Sequence, residues 1–177
     1  MAEIKAYTPE KLVIGILISD LTLLPFLRRD IQKTWGPVDL ETEPEVFIFS
    51  DYYNREMGTP IYRLFCSLEK LVDPEDLASI KIHSNALEEI YVSEGGRKIN
   101  LDPGILCQSK FILATTKNNA HRIPMSKGIY GELTLQYRQG QFRDLEWTYP
   151  DYREAGSKQF LMDVRKIYVG QLKDTGA

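Results

Sequence analysis

The residues most suited to chemistry are Thr115, Thr116, Lys117, His121 and Arg122, which fall within one short stretch. Two hydroxyls and up to three cationic side chains can hold a phosphate or carboxylate through charge-assisted hydrogen bonds. Histidine ordinarily titrates near neutrality, so His121 is the candidate for proton transfer. The plain alternative is a solvated basic loop. A second cluster, Asp51-Tyr52-Tyr53-Asn54-Arg55-Glu56, follows the end of an expected strand. Its phenols, acids and guanidinium can bind a polar ligand or a cation, and loops held by a rigid scaffold are common places for such sites. The alternative there is an aromatic cover over the core with solvated acids.

Other polar positions invite plainer readings. Asn100 and Asp102 flank Leu101 and would share one face of a strand. Asp102 precedes Pro103-Gly104, so its expected role is to cap a helix or form a turn. Glu132 falls on the polar side of a strand with Tyr130 and Thr134 and is expected to face solvent. It gains a role only if both faces of that strand are covered. Trp147, Tyr149 and Tyr152 surround Pro150. Their expected role is to anchor the last helix, with a ligand-stacking wall as the alternative. His83 is expected to be exposed on a helix.

Some chemistry is poorly supported. The two histidines and two cysteines lack any zinc-site spacing, so no metal ligand is assigned, and the identity of any cofactor stays open. An oxygen site for Mg²⁺ drawn from Asp51, Glu56, Asp102 or Glu132 stays open, because carboxylates distant in sequence can converge. No nucleophile elbow or Cys-His signature is present. The net charge of −3 argues against nucleic-acid binding, which favours a basic excess. The apolar run at residues 11–18 is far shorter than the roughly 20 residues needed to span a bilayer, and the N-terminus lacks a signal-peptide layout. A cytoplasmic location is therefore expected, with Cys66 and Cys107 as thiols.

These residues need elements to hold them. Residues 11–18 (KLVIGILI) read as a buried strand. Leu23, Leu24, Leu27, Ile31 and Trp35 recur at helical spacing up to Gly36-Pro37. Residues 45–50 and 61–68 read as strands. Asp73-Pro74-Glu75-Asp76 starts a second helix, marked by Leu77, Ile80, Leu87, Ile90 and Tyr91 and stopped by Gly95-Gly96. Residues 97–101 form a short strand. The order β-α-β-β-α-β is that of a ferredoxin-like core. Beyond it, residues 103–116 fit a helix capped by Asp102 or, over 111–116, a strand. Residues 129–138 alternate cleanly and turn at Gln139-Gly140 into 141–145, a hairpin. A helix over about 154–171 closes the chain. The expectation is one α+β domain over 1–177, with a loose lead-in at 1–10 and a frayed tail at 173–177.

Several phrases together resemble a known family. They are Asp51-Tyr52-Tyr53 with Glu56-Met57-Gly58, Asn100-Leu101-Asp102-Pro103-Gly104, Leu113-Ala114-Thr115-Thr116-Lys117, His121-Arg122-Ile123, Gly128-Ile129-Tyr130 with Glu132, and Trp147-Thr148-Tyr149-Pro150-Asp151-Tyr152. In this order they resemble the bacterial domain-of-unknown-function family 4416 over nearly the whole chain. The resemblance implies a bacterial or archaeal cytoplasmic protein and carries no catalytic residues over. Similar members sometimes bear a GTP-binding label. This chain has no phosphate loop ending in Gly-Lys-Ser or Gly-Lys-Thr, and Thr116-Lys117-Asn118-Asn119 echoes the guanine-reading motif only loosely.

The leading expectation is binding of an anionic small molecule such as a nucleotide or phosphorylated metabolite. Lys117, His121 and Arg122 would hold the anion with Thr115 and Thr116, and Asp51, Tyr52, Tyr53 and Glu56 would read the rest. The alternative is a non-catalytic interaction module or homo-oligomer. No nucleic-acid or membrane partner is expected.

Overall fold

In the computed structural model, which describes residues 3–93 and 96–175, the first apolar run becomes β1 (Glu10–Ile18), an inner strand of a nine-stranded antiparallel sheet. The chain continues through α1 (Leu24–Trp35), β2 (Val38–Glu41), β3 (Glu45–Val46), α2 (Asn54–Met57), β4 (Tyr62–Val72) and α3 (Leu77–Ile90). Two short strands, β5 (Val92–Ser93) and β6 (Gly96–Arg97), pair only with each other. Then come β7 (Ile99–Leu106), β8 (Lys110–Thr115), β9 (Arg122–Pro124), β10 (Tyr130–Arg138), β11 (Gln141–Asp144), α4 (Pro150–Arg153) and α5 (Ala155–Thr175). The sheet order is β11-β10-β8-β7-β1-β4-β2, with β3 on β4 and β9 on β10.

Helices cover both faces, which is why β1 reads as a continuous apolar run rather than an alternating one. Leu12, Ile14, Ile16 and Ile18 meet the α1 stripe Leu24, Leu27, Ile31 and Trp35 together with Ile80 and Leu87 of α3. On the other face Val13, Phe65, Phe111 and Leu135 meet Phe160, Leu161, Val164 and Tyr168 of α5. Lys11 is fully buried in this scaffold, bonded to Asp39 and, at 2.9 Å, to Gln171 Oε1.

Helix starts follow the sequence closely. Asp73 accepts from the Glu75 amide at 2.9 Å and opens the turn into α3. Gly36, at φ 99°, ends α1 in a conformation that favours glycine. α3 ends at Ile90 with Tyr91 as its cap. The expected stop, Gly95-Gly96, comes too late: α3 ends before β5, and Gly96 opens β6 instead. Gly95 lies outside the described residues, as do residues 1–2 and 176–177 of the expected lead-in and tail. Within the expected tail, residues 173–175 complete α5.

Three expectations change. The strand foreseen at 45–50 shrinks to Glu45–Val46, because Phe47 and Phe49 leave the sheet to border a cavity. The place beside β4 is taken by β2, whose Val38-Asp39-Leu40-Glu41 alternation is too short to stand out. Of the two readings of residues 103–116 the strand holds and the helix does not: β7 runs on through Leu106, the chain turns at residues 107–109, and β8 spans Lys110–Thr115. Asp102 therefore caps nothing. It lies within β7, opposite Gly15 of β1. No helix of the described residues is long and apolar enough to cross a membrane.

Candidate functional site

Pro103 shapes the site. It has no N–H to give to a neighbouring strand, and the β7–β8 ladder runs only through Leu106↔Phe111, Ile105↔Ile112 and Gly104↔Leu113. Beyond that point the strands part, and a cavity of about 550 Å³ opens between Asn100 and Asp102 of β7 and Leu113 to Lys117 at the end of β8. Phe47, Phe49, Ser50, Tyr52 and Tyr53 line it from the loop after β3. Tyr149 to Tyr152 border it at α4, and Lys81, Asn85 and Glu89 border it from one side of α3.

The inner end is charged. Arg63 of β4 is nearly buried and holds Asp102 Oδ2 at 3.2 Å and Asp151 Oδ2 at 2.7 Å. Its guanidinium lies over the rings of Phe65 and Tyr152. Gly15 makes this possible: a Cβ there would lie 2.6 Å from the Tyr152 hydroxyl and 3.0 Å from Arg63 Nη2. Beside this group, Lys81 Nζ donates to the Leu101 carbonyl at 2.7 Å. Glu88 accepts from the Leu101 amide at 2.8 Å and from Arg97 Nη1 at 2.7 Å, and Arg97 also reaches Asn100 and Glu56. Burial pushes the carboxyls of Asp151 and Glu88 above the usual carboxylate range, although Arg63 opposes this at Asp151 and Lys81 at Glu88. Burial likewise raises the phenols of Tyr53, Tyr149 and Tyr152.

Among the described residues, seven buried side-chain nitrogen or oxygen atoms have no hydrogen-bond partner. Five of them, Arg63 Nε, Arg97 Nε, Asn100 Nδ2, Glu132 Oε1 and Tyr152 OH, belong to residues that border this cavity. Leaving such a group unpaired costs about 1–3 kcal/mol. Their concentration around one cavity marks it as the place where the fold tolerates that cost.

The structure brings the two sequence clusters together only in part. Tyr52, Tyr53, Thr115, Thr116 and Lys117 border the same cavity, and Lys117 Nζ meets the Tyr52 hydroxyl at 3.0 Å and its ring centroid at 4.2 Å. Asp51 and Glu56 stand outside it. Asp51 accepts from Asn54 at 2.8 Å, and Glu56 accepts from Arg97 at 3.0 Å. Arg122 is held by Glu132 Oε2 at 2.7 Å, the Lys117 carbonyl at 2.8 Å and the Tyr149 hydroxyl at 2.6 Å. His121 meets Glu132 Oε2 at 3.0 Å and stacks on Trp147, bordering a shallow outer hollow with Ala120 and Glu146. Neither His121 nor Arg122 lines the cavity; His121 reaches its wall through Glu132, and Arg122 through Glu132, Tyr149 and the Lys117 carbonyl. His83 is exposed on α3, as expected.

Glu132, expected to face solvent, is 1% exposed and lines the cavity, because both sides of β10 are covered. The two readings of the Trp147–Tyr152 region divide between residues. Tyr152 is core among Phe65, Phe111 and Phe160 and also borders the cavity, whereas Tyr149 is a wall. The four carboxylates weighed for Mg²⁺ do not converge: among the described residues no three His, Cys, Asp or Glu side chains form a set that could hold a metal. Sequence reading missed Arg63, Lys81, Arg97 and Asp151. Arg63 did leave a signal, a lone charge inside the apolar run Ile61-Tyr62-Arg63-Leu64-Phe65, because buried charges require partners.

Fold and site together define an α+β protein with an aromatic-walled, charged cavity opened inside an antiparallel sheet. The chain belongs to the family described as Domain of unknown function (DUF4416), which it matches over residues 8–168. Searches of curated proteins and of solved structures found no match.

Proposed function

We propose that the protein binds an anionic small molecule, a nucleotide or phosphorylated metabolite, in the cavity between β7 and β8. Lys117 holds the anion at the mouth with Thr115 and Thr116, and Tyr52, Tyr53 and Tyr149 flank the rest of the ligand. His121 and Arg122 act at one remove, by fixing Glu132. The observation that carries this reading is the state of Lys117. It borders the cavity with the Tyr52 hydroxyl and ring as partners and, among the described residues, has no carboxylate partner. Arg63, Lys81 and Arg97 all have one. The cavity also falls within the size range of small-molecule sites.

The strand order β7-β1-β4-β2, all antiparallel, with α1 and α3 on one face, supports a ferredoxin-like core. Two free cysteines support a cytoplasmic location.

The test is a thermal-shift screen of nucleotides and phosphorylated metabolites, followed by calorimetry on Lys117→Ala. A ligand of this class should raise the midpoint by mass action. Loss of the charge-assisted bond should weaken its binding by about tenfold or more. The unliganded midpoint should hardly move, because Lys117 is exposed. A screen with no hit, or equal affinity for the variant, refutes the reading.

A further inference from the structure

We propose that the inner end of the cavity, around Asp102, receives a positively charged amino group, so that the ligand carries an anion at one end and an amine at the other. This rests on the reading that Lys117 anchors the anion, and it names the second half of the ligand.

Arg63 stands between Asp102 and Asp151, so with both acids ionised this group holds one negative charge in excess. The neighbouring cations do not offset it. Lys81 and Arg97 are matched to Glu88, and Arg97 also to Glu56. Asp102 is the acid placed to use the excess. Its side chain keeps 28% of its exposure, where that of Asp151 keeps 9%. Only its Oδ2 is bonded, leaving Oδ1 without a hydrogen bond among the described residues. Pro103 ends the strand pairing beside it, so the carboxylate borders the opening rather than a neighbouring strand.

The surroundings of Asp102 suit a cation. Tyr53, Tyr149 and Tyr152 all border the same cavity. Burial is the main reason their phenols titrate high, and the charge of Asp102 adds to the effect in all three. A carboxylate attracts an ammonium by charge, and an aromatic face within about 6 Å of the bound ammonium adds the pull of its ring quadrupole. The orphan Tyr152 OH, on a side chain that is 1% exposed and close to Arg63 Nη2 over Gly15, adds acceptor capacity at this end. An ammonium, with three donors, needs such acceptors.

The experiment is amide-resolved NMR titration of the full chain with three simple probes: benzylammonium, its neutral analogue benzyl alcohol, and inorganic phosphate. Benzylammonium should move the amides around Asp102 and bind about tenfold more tightly than benzyl alcohol. Asp102→Asn should abolish that preference. Phosphate should move the amides at residues 115–117, and Lys117→Ala should remove the effect. If Asp102→Asn does not fold, the charged and neutral probes on the parent protein still decide. Equal binding of the two benzyl probes, or shifts away from Asp102, overturns the inference. With a phosphate response intact, that result leaves the anion reading standing. An amine preference with no phosphate response overturns the anion reading and the two-ended ligand with it. No response to any probe overturns both.

Discussion

Glu132 is almost sealed from solvent, and its Oε2 is met by both Arg122 and His121. Removing one partner of a buried charge leaves the other uncompensated. Arg122→Ala should therefore lower unfolding free energy by about 3–5 kcal/mol, toward the low end because His121 remains, and urea denaturation measures it. Glu10 offers the opposite case. Its Oε2 is buried without a partner, and burial raises its carboxyl pKa against the charge of Lys110 and a hydrogen bond with Cys107. A carboxyl held above its unfolded value adds stability below that value, and loses it as pH rises through the folded value. Glu10→Gln should thus be more stable than the parent at pH 7, and the difference should shrink as pH falls through the carboxylate range. A difference that grows on acidification would reverse the assignment.

At the scale of elements, Asp73 tests how far local signals build the fold. Its carboxylate takes the Glu75 amide ahead of α3, so Asp73→Ala should cost about 0.5–2 kcal/mol, read from the denaturation midpoint. Such signals were legible because they are local: the cap at Asp73, the stripe Leu24, Leu27, Ile31 and Trp35, and the turn at Gln139-Gly140 each lie within a few residues. The site was legible only where its residues sit close together, as in Tyr52-Tyr53 and Thr115-Thr116-Lys117. Arg63 and Asp102 meet across β1 through strand pairing, and α4 brings Asp151 to them; no spacing encodes that. Asp102-Pro103 misled for a physical reason. The pair suits a helix start equally well, and here Pro103 instead marks where a strand loses its neighbour.

The whole molecule inherits a seam from that parting. β7 and β8 face each other through only three residue pairs, whereas β1 and β7 face through eight. Regions with fewer shared bonds open at lower free energy. Hydrogen exchange followed by mass spectrometry should therefore find amides of β8, β10 and β11 exchanging ahead of those of β1 and β4. Uniform exchange across the sheet would show that the helices lock the halves together. Gly15 has a subtler consequence. It leaves β1 bare where a guanidinium and a phenol cross the strand. One added methyl would press on both from beneath, although Gly15 itself does not border the cavity. Binding strength can thus be tuned from behind the site, at a position that a bound guest does not touch.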